Sequence, residues 1–257
     1  MILGPLLNYT ITTLGPGTSL CCLSGLMLLG LGSGLCFTIP GNVKTQTQKG
    51  QDSSSHQTKD AIKTLLSSPK IYILCFHDFF FAFGLFTTYS YLSSRAIYFE
   101  INEEMNGVLL AIIGLTTCVG RVIFGMILDK YRQFSIQITV TALAINSIFV
   151  MTSSFFTSLT GQIVFCTVFG LTFGCYPTST VILLRMTFQD VGLPYSLCFF
   201  STGLSCIICP PIMGLIRDIT GSFTGTFLTA GSLSLIGSLL PLLLLPLKRL
   251  EVSSNQD

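Results

Sequence analysis

An arginine lies inside the long apolar run of residues 107–128, where Arg121 is flanked by aliphatic side chains and glycine. A guanidinium at membrane depth costs about 3 kcal/mol on insertion scales, so it usually faces a cavity or a partner. Residues four apart share one stripe of a helix. The stripe through Arg121 holds Thr117, Arg121, Gly125 and Asp129. It predicts a polar track in which Arg121 binds a carboxylate through two parallel hydrogen bonds.

Arg121 could also have a structural role that involves no substrate. The residue lies about seven positions from the end of its apolar run, about 10 Å at the helical rise per residue. Its long side chain could therefore reach the lipid headgroups. It could also pair with Asp129. The sequence leaves these roles open beside anion binding.

A second polar pair, His77-Asp78, also lies inside an apolar run. Because histidine titrates near neutral pH, the pair could relay protons. Adjacent residues do not share a face of a helix, so each side chain could instead bond to a different neighbouring helix. The sequence leaves both interpretations open.

The ten cysteines lie almost entirely within apolar runs, where thiols behave as small hydrophobic groups. Cys206 and Cys209 form a CxxC sequence, but it lies in mid-span beside Pro210. We therefore predict that the cysteines pack rather than perform redox or metal chemistry, and we expect neither a metal nor a cofactor.

The composition predicts an all-helical membrane protein. Half of the 257 residues are apolar and only 9% are charged, whereas soluble domains carry about a quarter charged residues. The lipid bilayer is thus the expected environment, and nothing in the sequence predicts a nucleic-acid partner.

Seven apolar segments approach the roughly 20 residues that a bilayer core requires: residues 18–39, 71–92, 107–128, 134–153, 160–184, 193–216 and 223–247. Residues 1–14 form an apolar stub too short to span. Prolines should break or kink two of the spans, at Pro177 in one and at Pro210 and Pro211 in the other.

Basic residues define the topology under the positive-inside rule. Ten lie on one side of the predicted spans: Lys44, Lys49, Lys59, Lys63, Lys70, Lys130, Arg132, Arg185, Lys248 and Arg249. Only Arg95 and Arg217 fall in loops on the other side. The polar linker 41–69 and the tail 250–257 are therefore predicted to be cytoplasmic.

Seven spans with this orientation also match a seven-helix receptor, and residues 129–132 read Asp-Lys-Tyr-Arg. Receptors of that class carry Asp-Arg-Tyr there, a cysteine in the outer loop and Asn-Pro-x-x-Tyr in the last span. The loop 154–159 has no cysteine and the last span has no such motif. We therefore disfavour a receptor.

Three stretches together resemble the monocarboxylate transporter family of the major facilitator superfamily. Gly120-Arg121 with Gly125 and Asp129 is similar to the GRxxxGxxxD pattern of that family's eighth helix. Residues 190–192, Asp-Val-Gly, resemble the segment before its eleventh helix, and residues 210–223 resemble its PPxxGxxxDxTGSY signature.

This resemblance implies a division of the chain. Residues 1–40 would end an N-terminal half, as a stub and one span, and 41–69 would be the linker between the halves. Residues 70–249 would be the C-terminal six-helix bundle, followed by the tail 250–257. The bundle would lack the facing half that completes a carrier's cavity.

The resemblance also implies a function, which is transport rather than catalysis. A small organic anion would bind at Arg121 and Thr117, and alternating access would carry it by symport or facilitated diffusion. Coupled members have aspartate where this chain has Thr117, so proton symport by that route is not expected. A cytoplasmic loop motif and a helix kink would gate the cycle. The motif comprises Gly125, Asp129, Lys130 and Arg132, and the kink lies at Pro210 and Pro211.

Two further expectations follow from the family. Its members reside in the plasma membrane, and some need a single-span immunoglobulin-type chaperone to reach it. The alternative is a truncated, non-transporting membrane protein, or an interaction partner of a full-length carrier.

Overall fold

The structure, a computed structural model, describes residues 65–99 and 103–246, except for the side chains of residues 96, 103 and 104. Six stretches of the described chain are helical, long and apolar enough to cross a membrane. The prediction of an all-helical membrane bundle is thereby confirmed. The predicted stub, the span 18–39, residues 41–64 of the linker and the tail lie outside the described residues.

Seven α-helices build these six spans: α1 (Pro69–Tyr98), α2 (Glu103–Lys130), α3 (Ser135–Thr152), α4 (Leu159–Phe173), α5 (Cys175–Thr187), α6 (Gly192–Thr220) and α7 (Phe223–Leu239). Short 3-10 turns at Arg132–Phe134 and Ser153–Phe155 flank α3, and a third at Leu240–Leu243 continues α7.

Prolines affect the helices in two different ways. The predicted span 160–184 is interrupted at Gly174, and Pro177 lies in the first turn of α5, where its missing N–H removes no helical hydrogen bond. The predicted interruption there is confirmed. Helix α6, by contrast, continues through Pro210 and Pro211, so the helix is not broken at those prolines, and a kink there stays a prediction. The carbonyl of Pro210 accepts a hydrogen bond from the Tyr91 hydroxyl at 3.0 Å.

Local capping fixes several helix ends. The Ser158 hydroxyl accepts from the Gly161 N–H at 3.2 Å at the start of α4, and Ser222 accepts from Thr224 at 3.1 Å at the start of α7. Helix α6 ends at Gly221, whose φ of 63° is the left-handed conformation that glycine adopts without a steric penalty. The turn between α6 and α7 is therefore encoded locally.

Helix α1 packs against α6 and α7, α7 also packs against α3, and α2 packs against α4. Small residues allow these close approaches. A Cβ on Gly84 of α1 would lie 2.8 Å from the Ser234 side chain of α7, and Gly231 of α7 lies against Met151 of α3. The α1–α7 contact holds the centre of the bundle and positions the polar residues of α1.

Candidate functional site

Arg121 lies on an exposed face of α2, and its side chain hydrogen-bonds to no other described residue. Helix α2 continues to Lys130, so Arg121 lies nine residues from its end, about 14 Å along the axis. Asp129 lies eight residues further along the same helix, about 12 Å from Arg121. Headgroup snorkelling and pairing with Asp129 therefore stay open alternatives to anion binding.

Glycines hold the backbone of Arg121 against the junction of α4 and α5. A Cβ on Gly174 would lie 2.6 Å from the Arg121 amide nitrogen, and one on Gly120 would collide with the carbonyl of Leu171. One turn away, Gly170 lies against Thr116 and Ile113 in the same way. The position of Arg121 in the membrane is therefore fixed by backbone contact rather than by its own side chain.

Tyr89 of α1 brings a second helix to this site. Its side chain lies within electrostatic range of both Thr117 and Arg121. Thr117 is buried and donates its hydroxyl hydrogen to the Ile113 carbonyl at 2.6 Å. The predicted pair Arg121 and Thr117 is thus brought together with a tyrosine that sequence reasoning missed. The sequence offered only a weak signal, two tyrosines, Tyr89 and Tyr91, near the end of the apolar run 71–92.

The remaining candidates are Gly125 and Asp129 on the stripe and Lys130 and Arg132 at the turn that follows it, and their side chains form no hydrogen bond among the described residues. Gly125 has open space where a Cβ would be, and Asp129 is exposed. The Lys130 ammonium lies 5.4 Å from the centroid of the Tyr131 ring, and the Arg132 carbonyl accepts from Ser135 at 2.7 Å. A clasp of this loop on neighbouring helices stays a prediction.

His77 and Asp78 are both buried, and they face different helices. The His77 Nδ1 atom lies 2.7 Å from the Gly237 carbonyl of α7 and donates to it. The Asp78 carboxylate instead interacts with Tyr176 of α5 and Cys198 of α6. This separation favours the interpretation in which each residue bonds to its own neighbour, while a proton relay through the pair stays a prediction.

Arg95 was predicted in an outer loop, but it lies within α1 and is completely buried. Its Nη2 donates to Gln162 Oε1 at 2.9 Å. Three aromatic rings surround the guanidinium, with centroids 4.7 Å away for Phe227, 5.3 Å for Phe165 and 5.9 Å for Phe99. Cation–π contacts of this kind contribute about 2 kcal/mol when desolvated, so Arg95 joins α1, α4 and α7.

Cysteines of the described chain are all free thiols. Cys209 is buried and lies 3.3 Å from the Thr87 hydroxyl, whereas Cys206 is exposed. The two halves of the CxxC sequence therefore face different surroundings, and Cys209 acts as a packing group between α1 and α6.

Comparison with known proteins places the chain in a family. The model of the Major Facilitator Superfamily matches residues 1–189. MFS-type transporter hasB of Aspergillus fumigatus is 30% identical over 166 residues, 62% of this chain and 37% of the relative. Rat monocarboxylate transporter 12 is 24% identical over 65% of this chain and 35% of its own length. Human monocarboxylate transporter 10 is 31% identical over 60% of this chain and 31% of its own.

These matches span about a third of each relative's length. They confirm the resemblance to monocarboxylate transporters that the three motifs predicted, and with the six apolar helices they identify a multi-pass membrane protein. The chain belongs to the Major Facilitator Superfamily.

Proposed function

We propose that this protein transports a small organic anion of the monocarboxylate type by alternating access, and that Arg121 binds the anion. One observation carries the proposal: an arginine on a membrane span is exposed, and its side chain hydrogen-bonds to no other described residue. Charged groups inside a membrane are normally paired or face a substrate path. The names of two relatives, monocarboxylate transporters 10 and 12, point to the same class of cargo.

The Arg121 guanidinium offers two parallel N–H groups that match the two oxygens of a carboxylate. Thr117 has a different role, because its only hydrogen is donated to Ile113. A threonine hydroxyl has no second hydrogen to give to an anion. We therefore assign Thr117 to positioning Tyr89, whose side chain it contacts, while Arg121 carries the charge.

An apolar wall lies beside this charge. The Tyr89 ring meets Phe169 and Phe173 of α4 edge-on, with centroids 6.1 Å and 6.4 Å apart. Edge-to-face contacts of this kind hold aromatic rings in defined orientations. A site with one cation and one aromatic wall suits an anion with a single carboxylate and an apolar remainder.

Uptake of radiolabelled L-lactate into vesicles containing the protein tests the proposal. Arg121→Gln removes a charge-assisted interaction of about 1.5–3 kcal/mol, so we expect half-maximal uptake to need about 10- to 150-fold more lactate. Arg121→Lys keeps the positive charge but loses the two parallel N–H groups of the guanidinium. The lactate concentration that it needs for half-maximal uptake should lie between those of Arg121→Gln and the wild type.

Arg185→Gln is the matched control, because Arg185 is an exposed arginine in the last turn of α5. It should leave lactate uptake unchanged. Equal uptake by wild type and Arg121→Gln, at equal amounts of folded protein, would refute anion binding at Arg121.

A second candidate is a membrane protein that does not transport by itself. It is favoured by the exposed apolar side chains of α2 and α6, which include Val122, Met126 and Ile207. This candidate would be favoured if vesicles containing folded wild-type protein took up lactate no faster than empty vesicles.

We further propose that the protein resides in the plasma membrane, and that a single-span immunoglobulin-type chaperone assists its delivery, as the family resemblance suggests. Surface biotinylation with and without a co-expressed chaperone of that type tests both statements. If the chaperone left the surface fraction of the protein unchanged, a role for it in delivery would be excluded. If no protein reached the surface with or without the chaperone, residence in the plasma membrane would be excluded.

A further inference from the structure

Asp78 is a buried acid with an incomplete set of hydrogen bonds. Only 1% of its surface is exposed, and its Oδ1 atom has no hydrogen-bond partner among the described residues. It lies nine residues beyond Pro69 at the start of α1, about 14 Å along the helix. A carboxylate at this depth must be paired, neutralised by a proton, or solvated by local water.

A cleft of about 60 Å³ adjoins this carboxyl group, lined by Asp78, Tyr176, Pro177, Thr180, Tyr195, Cys198, Phe199 and Thr202. A cavity needs roughly 10–15 Å³ to hold one water, so this cleft has room for a few. Tyr195 and Phe199 at its rim are 40% and 66% exposed. The cleft therefore opens at the surface of α6.

We propose that Asp78 is a proton-binding site that exchanges with water through this cleft, separate from the anion site at Arg121. The carboxylate takes up a proton that arrives as hydronium, which leaves a neutral acid and a water molecule, and it returns the proton to water by the same path. The Tyr176 hydroxyl and the Cys198 thiol line the same cleft and lie within range of interaction with it.

The charges around Asp78 select a proton as the ligand. Its own helix contributes Cys75 and His77, α5 contributes Tyr176, and α6 contributes Cys198, with Tyr195 at the rim. No lysine or arginine lines the cleft, and α3 and α7 contain no acidic or basic residue. A buried ionised carboxylate without a neighbouring cation carries a desolvation cost of several kcal/mol. A bound proton neutralises the charge and so removes that cost.

His77 does not form the exchange path. Its Nδ1 atom donates to Gly237, and its ring stacks on Phe81 at 6.2 Å between centroids. The Tyr176 hydroxyl is the better neighbour, since it interacts with Asp78 and lies 3.1 Å from the Thr202 hydroxyl. The inferred site thus consists of Asp78 and the hydroxyl groups of α5 and α6, rather than a relay between adjacent residues.

Infrared difference spectroscopy on the protein in lipid vesicles tests this site directly. We expect a carbonyl band of a protonated carboxyl group that declines as the pH is raised from mildly acidic to mildly alkaline. Asp78→Asn should abolish that band. Tyr176→Phe removes the hydroxyl group beside Asp78, so it should shift the frequency of the band and the midpoint of its pH dependence. Asp218→Asn is the control, since Asp218 is exposed on α6, and it should leave the band intact.

Three results would overturn the proton site: a band that survives Asp78→Asn, a band that does not change across the pH range, or a band that sodium ions remove at constant pH. Tyr176→Phe keeps the test decisive if Asp78→Asn fails to fold. In that case an unaltered band in Tyr176→Phe would overturn the assignment.

Only the coupling of this proton to transport rests on the proposed function. In vesicles, acid-stimulated lactate uptake that becomes independent of pH in Asp78→Asn would support coupling, and equal stimulation in both proteins would refute it. A lack of any lactate uptake would refute the proposed function, while the infrared experiment would still decide the proton site.

Discussion

Substituting Gly174 by alanine probes the contact that positions Arg121. Gly174 has φ −56° and ψ −25°, so alanine fits the backbone without strain. The added Cβ would lie 2.6 Å from the Arg121 nitrogen and 2.7 Å from the Gly120 carbonyl carbon. Both neighbours are backbone atoms and cannot rotate away. The junction of α4 and α5 must therefore move from α2.

The size of that movement follows from the contact distance. Ordinary van der Waals contact of a Cβ begins at 3.4 Å, so the helices must separate by about 0.8 Å, a gap that forfeits a quarter to a half of each packing contact. Overpacking of this kind costs about 1–3 kcal/mol. Replacing glycine by alanine returns about 0.4–1 kcal/mol through the unfolded state. We expect a net loss of up to about 2.6 kcal/mol.

The free energy of unfolding, measured by SDS titration in mixed micelles, provides the assay. Gly107→Ala is the control on the same helix as Arg121, because nothing lies within 4 Å of a Cβ there. It should stabilise the protein by about 0.4–1 kcal/mol. If Gly174→Ala unfolded at the same SDS concentration as Gly107→Ala, the close crossing of α2 with the α4–α5 junction would be refuted.

Two further substitutions test buried polar contacts by the same titration. Gln162→Leu removes the acceptor of the buried Arg95 guanidinium and should cost about 1.5–3 kcal/mol. Adding Arg95→Met should recover part of that loss, because the unpaired charge is then absent. If the loss in the double variant equalled the sum of the losses in the two single variants, the contact between Arg95 and Gln162 would be contradicted. Asn146→Leu removes hydrogen bonds from Asn146 Nδ2 to the Thr172 hydroxyl at 2.9 Å and the Phe169 carbonyl at 3.0 Å. It should cost about 0.6–1.7 kcal/mol, the range measured for contacts between membrane helices, and a stabilised variant would be the contrary result.

The positions of the spans were predictable because membrane depth requires a minimum apolar length. Their ends were less so. Helix α1 continues to Tyr98, six residues beyond its predicted end at residue 92. Hydropathy marks where the lipid ends, whereas backbone hydrogen bonds continue a helix past that boundary. Pro177 signalled a real interruption, but Pro210 and Pro211 lie within one helix.

The candidate site was predictable along one helix but not between helices. Residue spacing placed Thr117 and Arg121 together, because helical periodicity is a local property. The contribution of Tyr89 depends on how α1 lies beside α2, which no local pattern encodes. Arg95 was assigned to a loop because a charge at the edge of an apolar run usually leaves the membrane. Its burial arises from aromatic rings of α4 and α7 that are distant in sequence.

Helix α1 is unbroken from Pro69 to Tyr98, and it carries both Asp78 and Tyr89, the neighbour of Arg121. Eleven residues separate them, about 16 Å along the axis, which is about half of the hydrocarbon thickness. One elementary charge crossing the whole membrane gains about 2.3 kcal/mol per 100 mV. A proton bound at Asp78 and an anion bound at Arg121 would therefore experience different fractions of the membrane voltage. Voltage would favour the two binding steps unequally even if the complete cycle moved no net charge.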